Sequence, residues 1–430
     1  MQDLYGNEVS TGSRAALDAY DEGVNLFLAA QASAGEAFER AISHDPSFVL
    51  AHAALARHHQ MYARPTEAVK AMISARELGN GYTAREQSHI AIIGQLIDGK
   101  SAAAYEAIKS HVADYPRDML ILQPCAGVFG LIGFSGRTAR DAEIFAFYDN
   151  LKGHFEADWW FDSVYAFALS ELGRLSEAEQ IIERSYEANP ANANAAHYKG
   201  HFHYEAGEHQ AGWEFTRDWL KSYDPASLMH CHISWHEALW ALELGHLESA
   251  WETLENSVRP GRAWGPPINV LNDMAAFLLR AEFAGQKRRE DLWQETSDYA
   301  TIYFPDPGVS FADAHAALAH AMAGNEVALQ KLKEADAGFA SDMVRALADV
   351  FGAFAAADWQ KVVDGLLPLM SSHERLGGSN AQRDLIEFTL LHALLQLGKT
   401  EEASRLFAMR RPLLAKDGLP ASLLPTEDAA

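Results

Sequence analysis

Four histidines carry the clearest chemical pattern in this 430-residue chain. His197 and His201 are four residues apart, and so are His232 and His236. On an α-helix, four residues turn through about 400°, so the two members of each pair project from one face, one turn apart. Two such faces on neighbouring helices can converge on one metal ion or one polar ligand, because neutral imidazole binds zinc, copper, iron and nickel. We expect the four histidines to form one site.

The histidine pattern leaves three interpretations open. The side chains can bind a divalent metal such as zinc, line a polar small-molecule pocket without metal, or form structural hydrogen bonds only. The spacing HxxxH lacks the glutamate of HExxH zinc proteases, which is the general base of those enzymes. Glu205, Glu237 and Asp313 are candidates for that proton-transfer role. We predict catalytic roles for the four histidines, Glu205 and Asp313, and expect Trp235 to form a wall of the pocket.

The elements that position these residues are predicted to be helices. Apolar residues recur at i, i+3, i+4 and i+7 almost throughout, and no run of strict alternation is long enough to predict a sheet. Turn-forming residues precede Ala-rich helices at intervals of 34 to 40 residues. They are Gly173, Gly207, Gly245, Gly285, Gly324, Asp358 and Gly398. This spacing predicts helix-turn-helix repeats of the tetratricopeptide kind.

We therefore predict an all-α fold, a right-handed α/α superhelix (solenoid) formed by residues 1–430 as one domain of about nine to ten helix pairs. Ala166 and Ala178 take positions where helices cross closely, and Pro190 follows a second helix because proline cannot continue one. The first helix of each pair lines the concave surface, and both histidine pairs fall on first helices of consecutive repeats. Before Gly173, helices are predicted over 46–64, 66–78, 83–97, 102–114 and 119–134, and terminal extensions over 1–13 and 414–430.

Composition argues against two classes of partner. Lys and Arg number 35 against 59 Asp and Glu, a formal net charge of −24. A field of that sign repels phosphate backbones and anionic lipid surfaces, so we predict no nucleic-acid and no membrane partner. The chain has two cysteines, and its first residues lack the pattern of a secretory signal, which together predict a cytoplasmic protein.

Seven stretches resemble the tetratricopeptide repeat protein 38 family, and they span nearly the whole chain. They are DPSFVLAHA at 45–53, AREQSHI at 84–90, YPRDMLIL at 115–122, HYKGHFHYE at 197–205, CHISWHEAL at 231–239, FADAH at 311–315 and GGSNAQRD at 377–384. The resemblance implies an α-helical repeat fold and no particular activity. The four histidines, His203, Glu205, Asp313 and His315 lie inside these stretches, and Asp273 also fits the family pattern.

The stretch 377–384 precedes a predicted helix over 381–398. Glycines before the first-turn amides form a natural anion cradle, and Arg383 can hold a carboxylate or phosphate in bidentate fashion. The alternative is a helix start capped by Ser379 or Asn380, with Arg383 paired to Asp384. We predict a substrate-binding set, which is His203, Trp235, Asp273, His315, Ser379, Asn380, Gln382 and Arg383.

Two functions follow from these patterns. The first is binding or transformation of a small polar or carboxylate-bearing substrate in a concave pocket lined by His, Asp and Glu, with or without a metal ion. The second is a scaffold that binds a peptide or partner helix in the concave groove. Peptide-binding grooves of this fold usually offer Asn, Lys and Arg, so the His, Glu and Asp of this chain favour the first. RAWGPP at 262–267 is predicted to be a loop that lies over the groove as a lid.

Overall fold

The computed structural model describes residues 1–78, 82–262 and 264–423, and within these residues the fold is all α-helical. Within these described ranges, β pairing is limited to one isolated antiparallel bridge between Gln2 and Glu8. The helices are α1 (Arg14–Leu28), α2 (Ala34–His44), α3 (Val49–Met61), α4 (Pro65–Glu77), α5 (Ala84–Ile97), α6 (Ser101–Asp114), α7 (Met119–Leu122), α8 (Arg140–Asp149), α9 (Trp159–Glu171), α10 (Leu175–Ala188), α11 (Ala193–Ala206), α12 (His209–Leu220), α13 (His230–Glu243), α14 (Leu247–Ser257), α15 (Pro267–Phe283), α16 (Glu290–Tyr303), α17 (Ser310–Ala323), α18 (Glu326–Lys333), α19 (Ser341–Ala355), α20 (Trp359–Leu366), α21 (Asn380–Gln396) and α22 (Thr400–Arg410). This array confirms the predicted α/α superhelix of repeats.

Consecutive helices alternate between a buried and a half-exposed environment. Every residue of α13 except Glu243 is buried, whereas in α14 only Ala250 and Leu254 are buried. The first helix of this pair is therefore the inner one. The six predicted turn glycines have φ between 71° and 78°, the left-handed region in which glycine carries no Cβ penalty. At the seventh turn Ala357 takes this conformation, and Asp358 caps α20.

The predicted helix over 119–134 is wrong. α7 ends at Leu122, a 3₁₀ turn covers Gln123–Cys125, and the chain then follows an irregular path to α8. A Cβ on Gly130 would lie 2.7 Å from a backbone oxygen, and one on Gly133 only 2.0 Å. Pro124 and the glycines thus form a compact segment that a helix cannot accommodate. The predicted helix over 46–64 is also shorter, because α3 covers Val49–Met61.

Helix α21, the first helix of the last pair, is buried along most of its length. All its residues from Ala381 to Leu391 are buried, and it packs on α15. Its first turn is joined to much earlier helices: the backbone N–H of Asn380 donates to Glu171 at 2.8 Å, and Arg383 donates to Asp141 at 3.0 Å. Part of the concave surface is therefore covered by the chain itself.

The turn between α1 and α2 meets the middle of the array from the opposite end of the chain. The backbone N–H of Ala193 donates to the carbonyl of Ala29 at 3.1 Å, and Tyr223 donates to the carbonyl of Ala30 at 2.6 Å. These bonds bring the N-terminal repeat against the helices that carry the histidines. None of the described helices has the length and apolar character needed to cross a membrane.

Candidate functional site

Helices α11 and α13 bring the four predicted histidines together in one buried group, which we call the histidine cluster. His197 and His201 lie on α11, and His232 and His236 lie on α13. One ring nitrogen from each lies within 4.8 Å of the corresponding atoms of the other three. The closest distances join Nε2 of His197 to Nε2 of His201, at 3.0 Å, and to Nε2 of His236, at 3.1 Å.

Small residues and indole rings hold the two helices at this separation. A Cβ added to Gly212 of α12 would lie 2.6 Å from the ring of Trp240, and one on Gly200 of α11 would lie 3.3 Å from it. Trp235 stacks on His232 with centroids 5.3 Å apart and an interplanar angle of 17°. Trp235 supports the cluster and does not line the adjoining cavity, so its predicted place as a pocket wall is wrong.

Burial keeps three of the four rings neutral. It lowers the pKa of His201 to about 3 and the pKa values of His197 and His236 well below the ordinary range. The neighbouring imidazoles act in the same direction, because each protonated ring would repel the next. These rings therefore carry an available lone pair at neutral pH, which is the form that binds metal ions.

The position of His197 cannot be explained by hydrogen bonds alone. A ring nitrogen of neutral imidazole has either one hydrogen or one lone pair. Nε2 of His197 faces two other nitrogens, at 3.0 and 3.1 Å. Only one of these two contacts can be an ordinary hydrogen bond, and a shared cation removes the conflict. Nitrogens bound 2.0 to 2.1 Å from a tetrahedral zinc ion are roughly 3.3 Å from one another, close to the observed separations.

Two carboxylates lie behind the imidazoles. Nδ1 of His232 is 3.0 Å from Oδ2 of Asp273 on α15, and Nδ1 of His201 is 3.8 Å from Oε1 of Glu171. Burial raises the pKa of Asp273 and raises the pKa of Glu171 to about 8. Asp273, predicted to bind substrate, instead orients a histidine, as outer carboxylates commonly do at metal sites. Glu171 was not predicted, because its position at the end of α9 gives no spacing signal.

A cavity of about 600 Å³ adjoins the histidine cluster. His197, His201 and His232 contribute to its wall, whereas His236 lies behind them. Most of the remaining wall is apolar or aromatic, including Phe27, Met61, Tyr62, Val128, Phe129, Phe134, Trp160, Phe167, Tyr198 and Phe304. Among the described lining residues there is no Asp or Glu, so the predicted acidic pocket is wrong. The carboxylates of this region are turned towards imidazole and arginine partners, because a buried carboxylate without a partner is costly.

Glu205 and His203 lie on α11 but do not join the cluster. Glu205 pairs with Arg411 at 3.1 Å, and burial raises its pKa to about 7. His203 faces Glu208, with Nδ1 2.8 Å from the carboxylate. Neither residue lines the cavity. Glu205 is therefore not placed for the proton-transfer role predicted for it, and the carboxylate in contact with His232 is that of Asp273.

Asp313 and His315 bond within the start of α17. The carboxylate of Asp313 accepts from the backbone N–H of Gly308 at 2.9 Å, and burial raises its pKa to about 6. Nδ1 of His315 lies 2.8 Å from the carbonyl oxygen of Phe311, and burial lowers the pKa of this histidine to about 4. These contacts are structural, and neither side chain lines the cavity.

The GGSNAQRD stretch forms a capped helix start whose first turn bonds to carboxyl groups of this chain. Ser379 and Gln382 form a capping box, in which Gln382 accepts from the Ser379 backbone at 3.0 Å. The backbone N–H of Asn380 donates to Glu171. Arg383 donates to Asp141 and to Asn380, at 3.0 and 2.6 Å. The backbone amide of Asn380 and the two terminal nitrogens of Arg383 are thus bonded within this chain, and Gln382 alone of the four predicted residues lines the cavity.

The predicted lid lies beside the cavity. Ala263 is outside the described residues, but Trp264 stacks on Tyr62 of the N-terminal region, with centroids 4.9 Å apart. Pro266 and Pro267 line the cavity, and Pro267 begins α15. Its role as a lid over the groove stays a prediction.

Comparison with known proteins concerns the fold. No family model matches the chain. A human IFIT1 dimer with m7Gppp-AAAA is 13% identical over 97% of this chain and 98% of that chain, with a TM-score of 0.44. Yeast Tom70 is 14% identical over 93% of this chain and 92% of that chain, with a TM-score of 0.33. These structures are too distant to inform function, and the helices of this chain themselves define a tetratricopeptide-like α-solenoid.

Proposed function

We propose that the histidine cluster binds one divalent transition metal, and that the protein binds or transforms a small molecule in the adjoining cavity. The observation that carries this proposal is the position of His197 Nε2, which faces two further imidazole nitrogens at 3.0 and 3.1 Å. All three rings are kept neutral by burial. Imidazole ligands suit zinc, copper, iron and nickel.

Charge balance supports the same assignment. Imidazoles bind a metal ion in their neutral form, so four of them would leave the charge of a divalent ion uncompensated. Asp273 and Glu171 would ionise near such an ion, since a nearby cation favours the charged form of a carboxyl group. Their negative charge would compensate that of the ion without direct coordination. A metal in this position would polarise an oxygen atom of a ligand or lower the pKa of a bound water. Either effect would allow the protein to act as a metal-dependent enzyme.

The cavity wall indicates the ligand class. Its aromatic and aliphatic side chains favour a molecule with an apolar body, and a polar oxygen of that molecule would face the imidazoles. The ligand predicted from the sequence was small and polar or carboxylate-bearing. We propose a carboxylate-bearing amphipathic molecule.

We also propose membership of the tetratricopeptide repeat protein 38 family. Its motifs at 197–205 and 231–239 contain the histidine cluster, and the motif at 377–384 contributes Gln382 to the cavity. A cytoplasmic location and the absence of a nucleic-acid partner stay predictions from composition. A scaffold that binds a peptide in the groove is the alternative, and it has less support because the first turn of α21 bonds to Glu171 and Asp141 and so covers part of the concave surface.

Metal analysis of protein purified without a His-tag tests the proposal. We expect one ion per chain, and we expect His197→Ala and His236→Ala to reduce metal content at least tenfold, because each removes a ligand. His203→Ala is the matched control, since His203 lies on the same helix and bonds to Glu208 instead. Protein that cannot be loaded with any transition metal would show that the histidines form a hydrogen-bonded pocket only.

A further inference from the structure

Arg57 of α3 lines the cavity and has no acidic partner. Its Nε and Nη2 lie 3.4 and 3.0 Å from Oε1 of Gln123, and its Nη1 lies 2.5 Å from Oε1 of Gln60. Both acceptors are neutral amides. Among the described residues, no carboxylate forms an ion pair with this guanidinium.

The hydrogen bonds of Arg57 leave two of its N–H groups available to a ligand. A guanidinium has five N–H groups. Three are donated to Gln60 and Gln123, so one N–H remains on each of Nη1 and Nη2. The orientation of Gln60 is held by its own amide, which donates to the carbonyl of Leu96 at 2.8 Å. Two adjacent donors in one plane match the two oxygens of a carboxylate.

Two buried arginines elsewhere in the described chain form ion pairs. Arg85 contacts Asp118 at 2.7 Å, and Arg383 contacts Asp141 at 3.0 Å. Arg57 differs, and burial lowers its pKa to about 10 because the charged form loses hydration without gaining a counter-ion. A buried charge that lacks a partner is costly, and its retention in a cavity wall indicates a site that a ligand completes.

We propose that Arg57, held by Gln60 and Gln123, binds the carboxylate of the cavity's ligand, while the apolar body of that ligand extends along the aromatic wall. This inference deepens the proposed function, because it rests on the same cavity, but it does not depend on a metal in the histidine cluster. It moves the anion-binding role from Arg383, whose two terminal nitrogens donate to groups of this chain, to a residue near the other end of the chain.

The test uses 4-phenylbutyrate and its neutral analogue 4-phenylbutyramide, measured by isothermal titration calorimetry on the full chain. The two probes share one apolar body and differ only in the charge of the head group. We expect wild-type protein to bind the acid at least tenfold more tightly than the amide, and Arg57→Gln to lose this preference. Arg64→Gln is the matched control, because Arg64 is an exposed arginine close by in the sequence.

A second variant guards against loss of folding in Arg57→Gln. Gln123→Glu retains the size of the side chain and gives Arg57 an internal carboxylate, so it should weaken binding of the acid and leave binding of the amide unchanged. Equal binding of acid and amide to wild type overturns the proposal, as does failure of the acid to bind. Preference for 3-phenylpropyl phosphate over the acid overturns the carboxylate assignment. Repeating the titrations on chelator-treated protein separates this result from the metal analysis, because the preference for the acid should persist without metal.

Discussion

Nδ1 of His232 lies 3.0 Å from Oδ2 of Asp273, so a carboxylate of α15 fixes a ring of α13. Because the carboxylate accepts, Nδ1 carries the hydrogen and Nε2 carries the lone pair. The bond therefore sets both the tautomer and the direction of the ring. It also joins two consecutive inner helices at the cavity wall.

Asp273→Asn should reduce metal affinity about 10- to 100-fold, because the amide no longer holds the Nδ1–H of His232 in the ligating tautomer. Competition with a chromophoric chelator measures the affinity. Asp313→Asn serves as the control, since Asp313 bonds to the amide of Gly308 at the start of α17. Equal losses in the two variants would show that Asp273 acts only on the stability of the fold.

Arg383→Met should lower the free energy of unfolding by about 1–3 kcal/mol, because it removes a buried guanidinium that donates to Asp141, to Asn380 and to the carbonyl of Gly378. Urea denaturation measures this loss. Titration with 4-phenylbutyrate provides the second readout, and affinity should be unchanged at temperatures where the variant is folded. A variant of normal stability and reduced affinity would restore the anion site first predicted for GGSNAQRD.

Gly212→Ala should destabilise the protein by about 1–3 kcal/mol, because a methyl group there overpacks the contact with Trp240. The added Cβ would lie 2.6 Å from the indole ring. Gly153→Ala is the matched control, since no atom lies within 4 Å of its added Cβ. Thermal unfolding compares the two, and an unchanged midpoint for Gly212→Ala would mean that α12 and α13 can separate without cost.

Acid should destabilise the wild type more than His392→Phe. The ring of His392 stacks on Phe283, with centroids 4.7 Å apart, and burial lowers its pKa to about 4. Between pH 6.5 and pH 4, His392 is protonated in the unfolded chain but remains mostly neutral in the folded chain. The free energy of unfolding therefore falls as the pH drops through this range. The difference in free energy of unfolding between the two proteins should change by about 3 kcal/mol over this range. Parallel curves for the two proteins would show that His392 titrates normally when folded.

The sequence was informative where the relevant pattern is local. Spacing of four residues placed His197 with His201 and His232 with His236, because helical periodicity decides which side chains share a face. The recurrence of turn glycines predicted the repeats for the same reason. The irregular segment after Leu122 was missed, because its apolar residues suit a buried helix and only its glycines and Pro124 argue against one.

The partners of the site residues were not predictable from local patterns. The start of α21 has the features of an anion site, but nothing in that stretch reveals that the carboxyl group of Glu171 accepts from its exposed amide. In the sequence, Arg57 has no feature that distinguishes it from other helical arginines. Its place in the cavity wall is evident only in the folded structure. Such assignments depend on which distant helices meet, and a single sequence does not encode that in its periodicity.

The burial of α21 has a consequence for the order of folding. In an open solenoid each repeat contacts only its neighbours and can fold as it emerges from the ribosome. Here Arg140 donates to the carbonyl of Gly378, 238 residues later, and Gln382 completes the cavity wall. Closing so long a loop costs entropy before these contacts form. The helices that carry the histidines are therefore synthesised well before the cavity exists, and a nascent chain that ends before α21 has the four histidines without the complete cavity wall.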